Sequence, residues 1–336
     1  MSESVFAVGG QNLHQAGAAL VADSSNWGAV GIAEALKMVP KAWVGYDEAR
    51  RRLTRHDPGL FVPIDFGYLN IKLARRAKAA GWKVLYFVPP GSWRRDKQGA
   101  DLPDVTDAIV TPFAWSAEIL NGMGADARFF GHPLKSIVAK VPDAERRSGV
   151  TMLPGSRKHE VKHNLPLMAE VARSLQCELR IGVAPNLAVE SLERTWNRLR
   201  GPAATFTRDG RSALKASRAA VVCSGTATLE AALCRCPSVI VYRVSKVIEL
   251  EYLVRRPKIG FIGLPNIILD RPVVPELVQY DATPQGVLTR LVPLLEDGAV
   301  RQSQLDAFEE IDTACGPSDC FERTAELAME IGGGPG

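Results

Sequence analysis

The sequence predicts an α/β chain of two doubly wound, Rossmann-like domains with a ligand cleft between them. Three observations carry that expectation. Short apolar runs alternate with amphipathic stretches along the whole length, the pattern of parallel strands wrapped by helices. The alternation occurs twice, on either side of a segment at 131–148 that is rich in Pro, Lys and Arg and has linker composition. The 336 residues suffice for two medium domains.

Taken in order, strands are expected at 5–8, 60–64, 84–87, 108–111 and 127–130, then at 150–153, 178–182, 220–223 and 238–241. Each is an apolar run of strand length with turn residues near it. Helical periodicity fills the gaps. Val161, Leu165, Met168, Ala172 and Leu175 recur at steps of four and three, which places them on one helix face. The domains are placed at 1–145 and 146–336, with helices near the carboxyl end packing back on the first.

Composition narrows the function classes. Apolar residues make up 46% and charged residues 23%, ordinary for a globular chain. The net charge of +4 comes in runs such as Arg50-Arg51-Arg52, Arg94-Arg95, Arg146-Arg147 and Arg255-Arg256. Such runs read either as solvated faces or as contacts to phosphates or an anionic bilayer. No basic tract interleaved with aromatics points to nucleic acid. No run of about 18 apolar residues could span a membrane. The start, Met1-Ser2-Glu3-Ser4, lacks the basic and apolar regions of a secretory signal, so a cytoplasmic location is expected. The six cysteines form no C-x-x-C pair and have no histidines at zinc spacing, so reduced thiols are expected.

In doubly wound sheets ligands gather at the carboxyl ends of the strands. Leu153-Pro154-Gly155-Ser156-Arg157 follows one expected strand and opens a helix. Gly155 admits close backbone approach, the helix N-terminus offers N–H groups to a phosphate, and Arg157 adds a permanent charge. The alternative is a plain turn with a surface arginine. Ser224-Gly225-Thr226-Ala227-Thr228-Leu229-Glu230 repeats the arrangement after a second strand. Thr226 and Thr228 suit a diphosphate or a helix cap, and Glu230 suits two ribose hydroxyls or a favourable place in the helix dipole. The pair together predicts a nucleotide-diphosphate site. No Asp-x-Asp occurs, so Arg and backbone dipoles, rather than a metal, should meet the phosphates; no metal and no cofactor are expected. Asp65, after the strand at 60–64, suits a general base facing the cleft or an N-cap for the helix near Tyr68. His132 stands where the first half ends, as a cleft residue or an ordinary loop histidine. The apolar stretch 29–39 reads as a core helix or a lipid-contacting patch.

These residues together resemble the lipid-A-disaccharide synthases. The strongest block spans 220–279 and contains SGTATLEAAL, VYRV and GLPNIILDRPVVPELVQ; LPGSRKHEV at 153–161 matches LPGSRxxEV. The first half contributes VGG at 8–10, PID at 63–65 with Asn70, Pro89 with Trp93-Arg94, and GHPL at 131–134. The resemblance implies the GT-B fold and a metal-independent transfer of 2,3-diacylglucosamine from UDP to 2,3-diacylglucosamine 1-phosphate. It implies UDP-2,3-diacylglucosamine, that phosphate acceptor and the anionic inner-membrane surface as partners, with a homodimer left open, and a peripheral place at the inner membrane. By position it makes Asp65 the base, sets Gly155, Ser156 and Arg157 at the diphosphate, and gives Ser224, Gly225, Thr226, Thr228, Glu230 and Asn266 to the UDP. Arg271 matches the arginine of the family's GRE. The stretch 29–39 falls where the family contacts acyl chains.

Several departures fall in the acceptor half. The family's opening strand and SGExSGD loop have no counterpart, and 5–9 aligns with the family's second strand; a mis-assigned start codon explains this most simply. IDAPDFN reads IDFGYLN, WAWR reads SWRR and PFE reads PFA. Two alternatives therefore stand beside the leading one: a catalytically silent UDP-sugar-binding paralogue, and a GT-B transferase with another acceptor.

Overall fold

The computed structural model describes residues 5–24, 32–244 and 260–333. They form two compact units, one of Met1–Pro133 with Pro317–Gly336 and one of Leu134–Gly316. The division follows Pro133, ahead of position 145, because the helix Pro133–Ala139 is built into the second unit. Its Val138 packs with Leu214, Ala220, Val222 and Ala231.

The second unit carries one parallel sheet of β7 (Val150–Leu153), β8 (Leu179–Gly182), β9 (Thr205–Thr207), β10 (Ala219–Cys223), β11 (Ser238–Tyr242) and β12 (Glu276–Val278). Its order is β12-β11-β10-β7-β8-β9. From β7 the chain steps to one side through β8 and β9, then returns to β10 and steps to the other. The β7–β10 junction is thus the switch point at which such sheets open a crevice. Val150, Met152, Ile181, Val221 and Val239 pack with Leu165, Met168 and Ala172 of the helix Lys158–Ala172 into the largest core cluster. The four-and-three periodicity of that helix is the face it buries.

In the first unit β1 (Phe6–Gly9) and β2 (Ala19–Asp23) form a parallel pair, and β3 (Leu60–Phe61), β4 (Lys83–Phe87), β5 (Ala108–Thr111) and β6 (Ala127–Phe129) form a parallel sheet in sequence order. The strand expected at 60–64 is shorter than its apolar run. Proline has no N–H to extend the ladder, so pairing stops before Pro63 and Ile64 makes only an isolated bridge to Phe87. The helix Cys320–Gly332 covers this sheet, with Cys320 and Leu327 against Leu85, Ala108 and Val110. Its return brings Pro317 so close to Gly131 that a Cβ there would stand 2.1 Å from the Pro317 carbonyl oxygen. At φ +103°, only glycine fits.

Three strands, β2, β9 and β12, have no counterpart in the sequence expectation. The latter two are three-residue edge strands, too short to carry a period of two. The helix Ile32–Arg55 runs through most of the apolar stretch 29–39, but the side chains of that stretch lie outside the described residues, as do Arg255 and Arg256. Further along the helix, Ala42, Tyr46 and Leu53 are buried. Arg50 and Arg51 both pair with Asp47, and Arg52 with Glu48. All six cysteines are free thiols. Among the described residues no helix is long and apolar enough to cross a membrane.

Candidate functional site

Two loops leave the carboxyl ends of β7 and β10, and they touch. A Cβ on Gly155 would lie 3.3 Å from the Sγ of Cys223, the last residue of β10. The same Cβ would lie 2.6 Å from both Cβ and Oε2 of Glu160, at a φ of +114°. Gly155 is therefore required by conformation and by space.

Glu160 alters the reading of the first loop. Its carboxylate is 4% exposed. Oε2 accepts the N–H groups of Ser156 at 2.9 Å and Arg157 at 3.1 Å, and Oε1 accepts Nη1 of Arg157 at 2.6 Å. The N–H groups expected to be free for a phosphate are thus capped from within, as a glutamate three residues into a helix commonly does. The loop still presents the guanidinium of Arg157, 46% exposed, with further N–H donors in its planar fork. Beneath it the buried Asn164 donates to the Glu160 carbonyl and accepts the N–H of Arg243, bracing the loop against the end of β11.

The second loop is the open one. Ser224 donates its N–H to Val241 and its hydroxyl to the Ile262 carbonyl. Gly225 turns at φ +139°, and a Cβ there would meet nothing within 4 Å. The N–H groups of Gly225, Thr226 and Ala227 find no acceptor among the described residues. They stand at the positive end of the helix Thr226–Leu233, an arrangement suited to an anion. The Thr226 side chain is exposed beside them. Thr228 is fully buried, donates to the Gly225 carbonyl at 2.8 Å and accepts the Leu264 N–H at 3.2 Å. It braces the loop and does not face it. One turn on, Oε1 of Glu230 accepts Nε of Arg211 at 2.8 Å, and Nη2 lies 2.7 Å from the same oxygen in the ion pair. Its Oε2 has no partner among the described residues.

Asn266 is likewise a brace. It is 1% exposed, donates to the Val274 carbonyl and Glu276 Oε1, and accepts the N–H groups of Val273 and Val274. Every polar position of its side chain is spent on protein. Glu276 also accepts the N–H groups of Ile262 and Gly263. Arg271 ion-pairs with Glu310 of the helix Ala299–Ala314.

In the first unit Asp65 and Phe66 both adopt left-handed φ, +45° and +46°, at a cost of about 1–2 kcal/mol per residue. The turn is pinned from several sides. The Asp65 carbonyl accepts Nδ2 of Asn70 at 2.9 Å and the Tyr86 hydroxyl at 2.8 Å, and its N–H donates to the Phe87 carbonyl. Burial, then the Asp65 charge, push the Tyr86 phenol above its usual range, which keeps it a proton donor. The Asp65 carboxylate is exposed and has no partner among the described residues. It does not cap the following helix: Phe66 holds the N-cap position, with no side-chain bond. Ile64 and Phe66 beside it are also exposed.

His132 belongs to the interior. It is 8% exposed, its ring lies 5.2 Å from that of Phe113, and burial pushes its imidazole down to about 4. Phe113 stacks on Trp115 at 4.3 Å, and Arg95 lies over Trp115 at 4.2 Å. The altered SWRR and PFA segments therefore meet. No cluster of three or more metal-ligating side chains occurs among the described residues.

The sequence reading missed Glu160, Asn164, Arg211 and Glu276. Glu160 had a signal, its place three residues after Arg157; Arg211 had none.

Comparison with known proteins converges on one family. The family model described as lipid-A-disaccharide synthetase matches residues 2–331. The lipid-A-disaccharide synthase of Anaeromyxobacter dehalogenans strain 2CP-C is 33% identical, covering 98% of this chain and 90% of its own. That of Koribacter versatilis strain Ellin345 is 33% identical over 96% and 88%. Among solved structures, MurG of Acinetobacter baumannii superposes with a TM-score of 0.53 at 14% identity, covering 98% of this chain and 90% of its own. MnaA of S. aureus, solved with UDP, gives 0.59 at 10% identity over 98% and 96%. At such identities these two likenesses speak to the fold alone, which is GT-B.

Proposed function

From the premise that this chain belongs to the lipid-A-disaccharide synthetase family, we propose that it transfers 2,3-diacylglucosamine from UDP to 2,3-diacylglucosamine 1-phosphate and releases UDP. The observation that supports the donor half is the open loop after β10. Three N–H groups without acceptors among the described residues, at a helix N-terminus and at the sheet's switch point, match a diphosphate. In this reading Gly225, Thr226 and Ala227 hold the diphosphate through their N–H groups, and the adjoining Gly155-Ser156-Arg157 loop brings the guanidinium to it. Glu230 accepts ribose hydroxyls on Oε2. Ser224, Thr228 and Asn266 hold the loop's shape, and Arg271 supports the neighbouring segment through Glu310.

The chemistry is a single displacement. The acceptor hydroxyl oxygen attacks the anomeric carbon, the bond from that carbon to the diphosphate breaks, and UDP leaves with the electron pair. Asp65 takes the hydroxyl proton. Its exposed carboxylate suits a base, a role that contributes roughly 10²–10⁴-fold. Arg157 and the open N–H groups offset the charge that grows on the leaving diphosphate. Acceptor, acyl chains and an anionic membrane surface meet the first unit, whose Ile64, Phe66, Trp43 and Trp93 are exposed.

The test uses the full chain with both lipid substrates in micelles and excess chelator. Disaccharide 1-phosphate detected by mass spectrometry, with one UDP released per product, is the expected result. UDP binding without transfer would favour the silent paralogue that the altered acceptor segments suggest. Transfer only to a different acceptor would select the remaining alternative.

A further inference from the structure

We infer that Arg211 is a positioning residue for the ribose end of the donor: it anchors one oxygen of Glu230 so that the other is presented to the ribose hydroxyls. The inference rests on the reading of Glu230 given above. Arg211 lies in the helix Gly210–Ala216, which follows β9 and is capped by Asp209 accepting the Ser212 N–H at 3.0 Å. That helix is locked against the one carrying Glu230, since Leu214 packs with Ala231 and Cys234. Nε of Arg211 donates to Oε1 at 2.8 Å, and Nη2 lies 2.7 Å from the same oxygen. A carboxylate held by both oxygens would have one lone pair of each already taken by the guanidinium. One held by a single oxygen keeps Oε2 oriented and wholly open. Glu230 is the less exposed partner, at 17% against 38%.

Calorimetry with UDP and 2′,3′-dideoxy-UDP, in chelator, reads this directly. The wild type should prefer UDP by about 10- to 100-fold, the scale of hydrogen bonds to a charged group. Glu230→Ala should bring the ratio near unity. Arg211→Gln should lower it about tenfold while leaving dideoxy-UDP affinity within about threefold, and Arg211→Lys, which keeps one donor and the charge, should restore part of it. Equal melting temperatures confirm that the variants fold. A wild type that does not discriminate would overturn the ribose role of Glu230, and this inference with it. A ratio lost in Glu230→Ala but intact in Arg211→Gln would overturn the inference alone. So would an Arg211→Gln variant that weakens both nucleotides equally, because Arg211 would then act on the phosphates.

Discussion

Replacing Gly155 by alanine should injure the donor unit more than the same change at Gly225, and the difference can be worked out from the backbone. Both glycines have φ values that side chains rarely adopt, +114° and +139°, a strain of about 1–3 kcal/mol each. At Gly225 nothing lies within 4 Å of the new methyl group, so strain is the whole cost. At Gly155 the methyl would stand 2.6 Å from Glu160, whose carboxylate holds two loop N–H groups and Arg157. Displacing it breaks at least one bond to a buried charge, about 1.5–3 kcal/mol. Gly155→Ala should therefore lose about 2.5–6 kcal/mol in all. In a unit of this size that lowers the melting temperature by about 5–24 °C, against about 2–12 °C for Gly225→Ala. Differential scanning calorimetry reads the melt, and urea titration reads the free energy. Adding Glu160→Ala to Gly155→Ala should cost less than the sum of the single changes, because the carboxylate's bonds to the loop are lost only once, while the contact with the Cβ of residue 160 at 2.6 Å stays. If the two alanine variants melt together, or the double variant is additive, Glu160 does not hold the loop as described.

Four further outcomes are expected. Asp65→Asn should abolish transfer while UDP affinity stays within about threefold; near-normal turnover would remove Asp65 as the base. Arg157→Ala should cost roughly 2–4 kcal/mol in kcat/KM, and unchanged kinetics would make that loop a mere turn. His132 is held neutral by burial, with a folded pKa of about 4 against a usual 6.5; its contribution is present above about pH 6.5 and is lost as pH falls toward 4. His132→Phe should flatten stability over that window by an amount on the order of a few kcal/mol, and an unaltered pH profile would count against it. Anionic vesicles should carry the chain into the pellet at low salt and release it at high salt; absence from the low-salt pellet would remove the membrane partner.

What was legible in the sequence follows from how each feature is encoded. Central strands such as β7, β10 and β11 are buried on both faces, so they read as unbroken apolar runs. The three-residue edge strands β9 and β12 carry no such run. Loop motifs were legible because a turn after a strand needs particular residues, Gly155 and Gly225 above all. They did not separate ligand contacts from braces. Thr228 and Asn266 are the residue types that would bind a nucleotide, and the structure spends them inward, since a loop that leaves three N–H groups open must be held by something else. Pairings across the fold, such as Arg211 with Glu230, depend on tertiary packing and leave no local spacing to read.

The helix Cys320–Gly332 has a consequence for the order in which the protein is made. It seals the sheet of the first unit, yet it emerges from the ribosome only after the whole second unit. The second unit, continuous from Leu134 to Gly316, can close as soon as it is synthesised. The first must wait with Leu85, Ala108 and Val110 lacking their cover for the time needed to add about 200 residues, roughly 10–40 s at bacterial rates of elongation. During that interval the nascent chain displays an apolar sheet face and is a natural client for chaperones.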